Sequence, residues 1–198
     1  MTRARARAHA AESADGPWLD PGDERTRLLL FHRPAPDALA TGAVAALVLP
    51  PAAIDEAALT LRREHRLPLL VRGDPAVAQV HALDGVHLAG PEQVQQARQM
   101  LGSQGLIGVD CGLSRHAAMV AGEAGADYVL FGSLDLAPPG ALTDLVTWWR
   151  ELFVLPCAAA GRFTPETARA MAAAGADFIA TSEADAALAL AVLTHGSP

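Results

Sequence analysis

The segment Ala124-Gly125-Ala126-Asp127-Tyr128 recurs later in the chain as Ala174-Gly175-Ala176-Asp177-Phe178, with a weaker copy at Leu83-Asp84-Gly85-Val86. In both strong copies the glycine follows a helical pattern and precedes an apolar run. A glycine at this place supplies the left-handed residue that ends many helices, after which the chain enters the next strand. The recurrence therefore predicts a repeated unit in which a helix leads into a strand.

Eight short apolar runs alternate with helical patterns along the chain. Such alternation indicates a parallel sheet made of βα units, and eight units predict a (β/α)8 TIM barrel, although 198 residues is short for that fold. A doubly wound open sheet is the alternative, weakened because no glycine-rich dinucleotide motif follows the first strand. The predicted strands are Leu28–Phe31, Val44–Leu49, Leu69–Val71, Gly85–Leu88, Leu106–Val109, Tyr128–Phe131, Cys157–Ala160 and Phe178–Ala180.

Helix starts are predicted where proline follows a capping residue. Asp74-Pro75, Gly90-Pro91 and Thr164-Pro165 each place proline at a first helical position. Apolar residues at helical spacing, such as Leu142, Leu145, Val146 and Trp149, predict a buried face on each helix. Trp148 lies beside that face, so Trp148 and Trp149 cannot both point inward.

Composition limits the number of domains and the partners. With 51% hydrophobic and 19% charged residues, the chain is expected to form one domain, a barrel over residues 27–198 preceded by a mobile, disordered arm over residues 1–26. The formal net charge is -7, and the ten N-terminal residues carry arginines but no acid, so the barrel is more acidic still. We therefore expect no nucleic-acid and no membrane partner. No apolar run suits a membrane span or a secretory signal, which predicts a cytoplasmic protein.

Two residue types are missing from the sequence, and each absence excludes some chemistry. All 15 basic residues are arginine, so Schiff-base and P-loop lysines are impossible, and there is no asparagine. Cys111 and Cys157 follow no metal-binding or redox spacing and are interpreted as reduced thiols.

The active site of such a barrel lies at the carboxyl ends of its strands, so the residues after each strand are the candidates. The rim after strands 7 and 8 is a common phosphate site, which predicts phosphate binding by Gly161, Arg162, Thr181 and Ser182. Glu183 weighs against it, because a carboxylate in the first turn of a helix already satisfies the helix dipole. Ser182 is alternatively the N-cap of that helix.

Four carboxylates near strand ends could form a divalent-metal or acid/base cluster: Asp74, Glu92, Asp110 and Asp135. Each also has a structural interpretation, since acids cap helices and loop amides. His87, at the end of a strand, could act as an acid or base or line the pocket, and a structural role is equally open. His116 is expected to face solvent. Cys111 is interpreted as a small pocket residue.

A set of motifs in a fixed order carries a family resemblance. The chain from about Arg27 to Leu193 resembles the thiamin phosphate synthase/TenI superfamily. The resemblance implies a (β/α)8 barrel, and either Mg²⁺-dependent coupling of an aminopyrimidine diphosphate to a thiazole phosphate or isomerisation of the thiazole. The motifs are Asp84-Gly85-Val86-His87-Leu88, Ile107-Gly108-Val109, Gly125-Ala126-Asp127-Tyr128, Phe131-Gly132, the segment from Pro156 to Gly161, Thr164-Pro165-Glu166 and Ala174-Gly175-Ala176-Asp177.

Most catalytic positions that the resemblance implies are substituted. The family's charged segment after strand 2 corresponds to Pro50-Pro51, and its Asn-Asp after strand 3 to Arg72-Gly73, with Asp74 one residue further on. Its serine after strand 5 corresponds to Asp110, and its catalytic lysine after strand 6 is absent from the loop that holds Asp135. Glu92 stands in place of the family's aspartate after strand 4, which leaves Mg²⁺ only a possible cofactor.

These substitutions predict a divergent member that binds a small phosphorylated ligand, thiazole phosphate or thiamin phosphate, and in which synthase catalysis is impaired. One alternative is an active synthase whose pyrophosphate clamp is rebuilt from Arg33, Arg72 and Arg162. The other is a non-catalytic partner or scaffold that uses Trp148 and the arm. A homo-oligomer is possible. We take Arg72, His87, Asp110 and Asp135 as the catalytic candidates and Asp74 and Glu92 as the metal candidates.

Overall fold

Eight parallel strands close into a barrel in the computed structural model, which describes residues 25–184 and 186–193. Each strand pairs with its sequence neighbour, and the first pairs with the eighth. The strands are β1 (Arg27–Leu30), β2 (Val44–Leu49), β3 (Leu69–Arg72), β4 (Gly85–Leu88), β5 (Leu106–Asp110), β6 (Tyr128–Gly132), β7 (Cys157–Ala160) and β8 (Phe178–Thr181).

A helix follows every strand in the described part of the chain. The helices are α1 (Pro36–Ala40), α2 (Glu56–His65), α3 (Pro75–Val80), α4 (Val94–Leu101), α5 (Arg115–Glu123), α6 (Gly140–Leu152), α7 (Pro165–Ala173) and α8 (Ala186–Leu193), with short 3₁₀ turns at Pro51–Ala53 and Pro91–Gln93. The (β/α)8 barrel is confirmed. The open-sheet alternative is wrong, because hydrogen bonds between β1 and β8 leave no edge.

Local sequence signals predicted the strand positions and most of the predicted helix starts correctly. Every predicted strand is present within one residue at each end. Asp74 accepts a hydrogen bond from the Ala76 amide at the start of α3, and Thr164 forms a reciprocal capping box with Thr167 at the start of α7. Gly90 precedes a 3₁₀ turn, so α4 begins at Val94, later than proline at position 91 suggested.

Two apolar layers stabilise the barrel because side chains alternate along each strand. The larger layer packs between the strands and the helices and includes Trp149 of α6. The smaller cluster fills the barrel interior, with one aromatic ring directly after β1, one on β6 and one on β8, and small residues on β7. These rings belong to Phe31, Tyr128 and Phe178, and the small residues are Ala158 and Ala160.

The repeated aspartate fastens the amino-terminal end of the barrel. The side chain of Asp127 accepts a hydrogen bond from the Ile107 amide at 2.8 Å, while its own amide donates to the Ile107 carbonyl at 2.8 Å. Asp84 makes the same pair of bonds with Leu69, and Asp177 with Cys157. Each aspartate before an even-numbered strand thus holds the start of the preceding strand, so this motif has a structural role far from the carboxyl ends.

Residues 1–24 of the predicted arm lie outside the described residues. Of its last two residues, Thr26 is buried and its hydroxyl donates to the Ala176 carbonyl at 2.8 Å. No helix in the described ranges is long and apolar enough to cross a membrane.

Candidate active site

His87 lies inside the barrel, where the sequence left its role open. It is 2% exposed, and its Nδ1 lies 2.9 Å from the Tyr128 hydroxyl. Its ring stacks on Tyr128 and meets the edge of Phe31, with ring centroids 5.7 and 5.0 Å apart. Burial, assisted by the positive charge of Arg72, lowers the pKa of His87 to about 3. The imidazole is therefore neutral and forms the floor of the barrel mouth.

Tyr128 is the residue at this site that sequence reasoning missed. It occupies the barrel interior because its neighbour in register on β5 is Gly108. A β-carbon on Gly108 would lie 2.1 Å from Cζ of Tyr128, so the ring fits only against glycine. Burial raises the pKa of the Tyr128 hydroxyl, which keeps it protonated. An aromatic residue opposite a strand glycine was the signal that could have revealed it.

Arg72 ends β3 and stands at the mouth above this floor. Its side chain is exposed, and the guanidinium carbon lies 5.9 Å from the centroid of the Phe31 ring. Within the described residues the Arg72 side chain has no hydrogen bond or ion pair. It is a cation available to a ligand.

Asp110 ends β5 and completes a group of three candidates. Its carboxylate accepts a hydrogen bond from the Gly112 amide at 2.9 Å. Burial raises the pKa of Asp110, and the Gly112 amide and Arg72 oppose that shift in part. The structure thus brings Arg72, His87 and Asp110 together at the carboxyl ends of β3, β4 and β5.

Asp135, by contrast, lies on an exposed turn after β6. The loop is anchored by a hydrogen bond from the Arg162 amide to the Leu136 carbonyl at 2.9 Å, which ties it to the loop after β7. No described hydrogen bond or ion pair joins Asp135 to Asp110. Its catalytic role stays a prediction.

Two of the predicted phosphate ligands already have partners. The Gly161 amide donates to the Ala180 carbonyl at 3.1 Å, and the Phe163 ring lies 3.2 Å from where a Gly161 β-carbon would be. The Thr181 side chain is buried, donating to the Glu183 carbonyl at 2.9 Å and accepting from the Glu183 amide at 3.2 Å. Neither the Gly161 amide nor the Thr181 hydroxyl is free to meet a phosphate in this conformation.

The other two predicted phosphate ligands remain open. Arg162 is exposed and its guanidinium has no described partner, and the half-buried Ser182 hydroxyl has none either. The next helix, α8, begins at Ala186. The interpretation of Ser182 as its N-cap and of Glu183 as a first-turn residue is therefore wrong, because both precede the helix.

The metal candidates do not gather into a site. Asp74 points one carboxylate oxygen at the Ala76 amide, 2.8 Å away, and Glu92 is exposed on the 3₁₀ turn beside Gly90. Among the described residues, no three His, Cys, Asp or Glu side chains come together in a way that could hold a metal ion. The donor set therefore does not fit a protein-built Mg²⁺ centre, and Mg²⁺ binding stays a prediction.

The remaining candidates have structural surroundings. Cys111 is buried, and burial raises the pKa of its thiol to about 12, so the thiol is protonated near neutral pH. His116 is exposed, as expected. Trp148 is half-buried and covered by Arg115, whose guanidinium carbon lies 4.5 Å from a Trp148 ring centroid. Trp149 takes the buried position on α6.

The closed barrel and the polar residues at its carboxyl ends define a (β/α)8 protein with its candidate site at the barrel mouth. The sequence model of a family described as thiamine monophosphate synthase matches residues 52–184. The chain belongs to this family, which confirms the resemblance drawn from the motifs.

Relatives of known name agree with the family match. The chain is 41% identical to a thiamine-phosphate synthase of Erythrobacter litoralis over 130 residues, covering 61% of this chain and 60% of the relative. It is 44% identical to a thiamine-phosphate synthase of Rhodospirillum centenum over 115 residues, covering 54% of each chain. The match spans less than two thirds of the length of these relatives.

Solved structures show the same fold. A thiamine phosphate pyrophosphorylase from Pyrococcus furiosus superposes with a TM-score of 0.68 at 24% identity, covering 87% of this chain and 95% of that one. A structure described as native KDPGal superposes with a TM-score of 0.62 at 15% identity, covering 85% of this chain and 92% of that one.

Proposed function

We propose that this chain binds thiazole phosphate or thiamin phosphate at the mouth of the barrel and that its synthase catalysis is impaired. The observation that carries the proposal is that Arg72 and Arg162 are exposed at the carboxyl ends of β3 and β7, and that neither guanidinium makes a hydrogen bond or ion pair within the described residues. A guanidinium offers paired donors that match phosphate geometry. Family membership supplies the ligand class.

The phosphate would be held mainly by side chains. Because the Gly161 amide and the Thr181 hydroxyl are engaged within the barrel, Arg162 and Ser182 are left as the donors at the β7/β8 end. Since β3 and β7 lie on opposite sides of an eight-stranded barrel, a ligand anchored at Arg162 would extend across the mouth towards Arg72 and Asp110. His87, beneath them, would support Arg72 and Phe31 without reaching the ligand.

The contacts of Arg33, the third arginine of the possible pyrophosphate clamp, support impaired catalysis. Arg33 donates a hydrogen bond to the Ala53 carbonyl at 2.9 Å and forms an ion pair with Asp55, the N-cap of α2. It is therefore committed to the start of α2, and two of the three arginines of the possible clamp remain. Losing one donor to developing charge costs roughly 3–4 kcal/mol, or about a hundred- to a thousandfold in rate.

Ligand-induced stabilisation tests the binding claim. Thiamin phosphate at ten times its dissociation constant should stabilise the fold by about 1.4 kcal/mol, which raises the melting temperature by about 3–6 °C. Unphosphorylated thiamin should raise it less. In Arg162→Ala the advantage of the phosphate should vanish, whereas Arg169→Ala, an exposed arginine on α7, should retain it. Equal shifts by thiamin and thiamin phosphate in the wild-type protein would contradict the proposal.

An active synthase is the second candidate, and one observation favours it. Arg72 and Asp110 end β3 and β5, the strands on either side of β4, and Arg72 makes no hydrogen bond or ion pair within the described residues, so a cation and a carboxylate lie at the same end of the barrel. In that case Arg72→Ala would abolish product formation. A protein that only binds its ligand has no product to lose.

A further inference from the structure

Exposed apolar side chains gather on the outer face of α5 and α6. Leu113, Met119 and Leu152 are 52%, 40% and 64% exposed. Leu113 lies two residues before α5, Met119 in the middle of α5, and Leu152 at the end of α6. The half-buried Trp148 lies one turn before Leu152 on the same side of α6. A group of exposed apolar side chains is typical of a surface that contacts another molecule.

Two contacts join α5 and α6 into one surface. At the start of α5, the guanidinium carbon of Arg115 lies 4.5 Å from a Trp148 ring centroid. Near the end of α5, a β-carbon on Gly122 would lie 3.4 Å from a methyl carbon of Leu155, in the segment that follows α6. The two helices therefore lie side by side, and their exposed side chains form a continuous surface on the outside of the barrel.

One row of exposed residues on α5 carries opposite charges around an apolar centre. Arg115, Met119 and Glu123 are spaced four residues apart, so they lie along one side of the helix with about 6 Å between successive residues. Within the described residues, neither the Arg115 nor the Glu123 side chain makes a hydrogen bond or an ion pair. Both charges are therefore available to a partner.

The order of this row is complementary to itself when it is reversed. If two α5 helices pack antiparallel about a twofold axis at Met119, Arg115 of each copy faces Glu123 of the other, and the two methionines meet at the axis. A partner of one charge sign, such as a nucleic acid or an anionic membrane surface, would attract one end of the row and repel the other. The charge pattern therefore favours a second copy of this chain.

We propose that the chain forms a twofold-symmetric dimer through this surface, with Met119 at the axis and two ion pairs between Arg115 of one copy and Glu123 of the other. Trp148, which stacks on Arg115, lies beside each ion pair. Aromatic, methionine and arginine side chains are enriched in protein interfaces, and twofold dimers are the commonest oligomers. The proposal does not depend on ligand binding at the barrel mouth, because it uses residues on the outside of the barrel.

Sedimentation equilibrium of the full chain tests the dimer and its centre. Wild type should reach twice the mass of one chain at protein concentrations up to about 100 μM. Met119→Glu places two like charges at the axis and should weaken self-association about tenfold or more. Val80→Glu is the matched control, because Val80 is an exposed apolar residue at the end of α3, two helices away from α5. It should leave the mass of the dimer unchanged, and circular dichroism shows whether each variant is folded.

Exchanging the charges tests the ion pairs. Arg115→Glu and Glu123→Arg should each weaken self-association about tenfold or more, because like charges then face each other. An equimolar mixture of these two variants should recover the mass of a dimer, since each chain then supplies the charge that the other lacks. A mass of one chain for wild type would overturn the proposal, and so would equal effects of Met119→Glu and Val80→Glu. A mixture of the two folded charge variants that stays monomeric would also overturn it.

Discussion

Nδ1 of His87 and the hydroxyl of Tyr128 meet 2.9 Å apart inside the barrel, on strands that are two apart in the sheet. Between them runs β5, whose Gly108 leaves space for the Tyr128 ring. Two buried polar groups thus satisfy each other, and Arg72 is the neighbour of His87 in register on β3. The His87–Tyr128 pair is the buried polar contact at the base of the candidate site.

Tyr128→Phe should destabilise the fold by about 1–3 kcal/mol, because Nδ1 of His87 is left buried without its partner. Urea unfolding monitored by circular dichroism measures the loss. The double variant His87→Leu/Tyr128→Phe should lose less than the sum of its two single variants, because both polar groups are then gone. Strict additivity would show that the hydrogen bond contributes nothing.

Gly108→Ala should destabilise by about 3 kcal/mol or more, because the added methyl would overlap the Tyr128 ring. Gly140→Ala is the matched control, since nothing lies within 4 Å of a β-carbon there at the start of α6. The control should change stability by less than about 1 kcal/mol. Similar losses in the two variants would mean that Tyr128 does not require the glycine.

Ala82→Gly should stabilise the protein by roughly 1 kcal/mol. Ala82 adopts a left-handed conformation with φ of 48° at the place where the two strong repeats have Gly125 and Gly175. A left-handed alanine costs about 1–2 kcal/mol, and glycine adopts this conformation without that cost. Gly125→Ala is the mirror control and should lower the free energy of unfolding by a similar amount, because alanine would be strained at the Gly125 φ of 98°. The added methyl meets no neighbour, so the loss would report the backbone conformation alone. Thermal unfolding measures both, and a lower melting temperature for Ala82→Gly contradicts the strain.

Asp110→Asn should stabilise the protein near pH 7 and have little effect near pH 4. Burial raises the pKa of Asp110 in the fold above its unfolded value, so the fold disfavours the charged form. The wild-type protein therefore loses stability as pH rises through the folded pKa of Asp110. Asparagine does not ionise, so the variant does not lose stability in this pH range from this position. Urea unfolding between pH 4 and 7 tests the sign. A variant less stable than wild type near pH 7 would show that Arg72 dominates the titration.

The fold was predictable from the sequence because its signals are local. Apolar runs, proline after a cap and glycine at a helix end each act over a few residues, and together they placed all eight strands. The aspartates of the repeat were recognised as a motif, but their bonds to the preceding strand depend on barrel closure. The sequence of a single βα unit therefore does not reveal the hydrogen bonds from the aspartate to the preceding strand.

The candidate site was predictable only in part, for the same reason. Strand ends placed Arg72, His87 and Asp110 at one mouth, as the barrel rule requires. The role of Tyr128 depends on its register with Gly108, and the engagement of the Gly161 amide depends on β8. Arg33 was a candidate clamp residue, and only the structure shows its ion pair with Asp55.

The most direct test of the proposed function is the yield of thiamin phosphate from aminopyrimidine diphosphate, thiazole phosphate and Mg²⁺, measured chromatographically for wild type and Arg72→Ala. We expect no product above the protein-free background with either protein, from a preparation whose melting temperature thiamin phosphate raises. Catalytic turnover by wild type that Arg72→Ala abolishes would contradict impaired catalysis and show that the remaining arginines suffice for the synthase reaction.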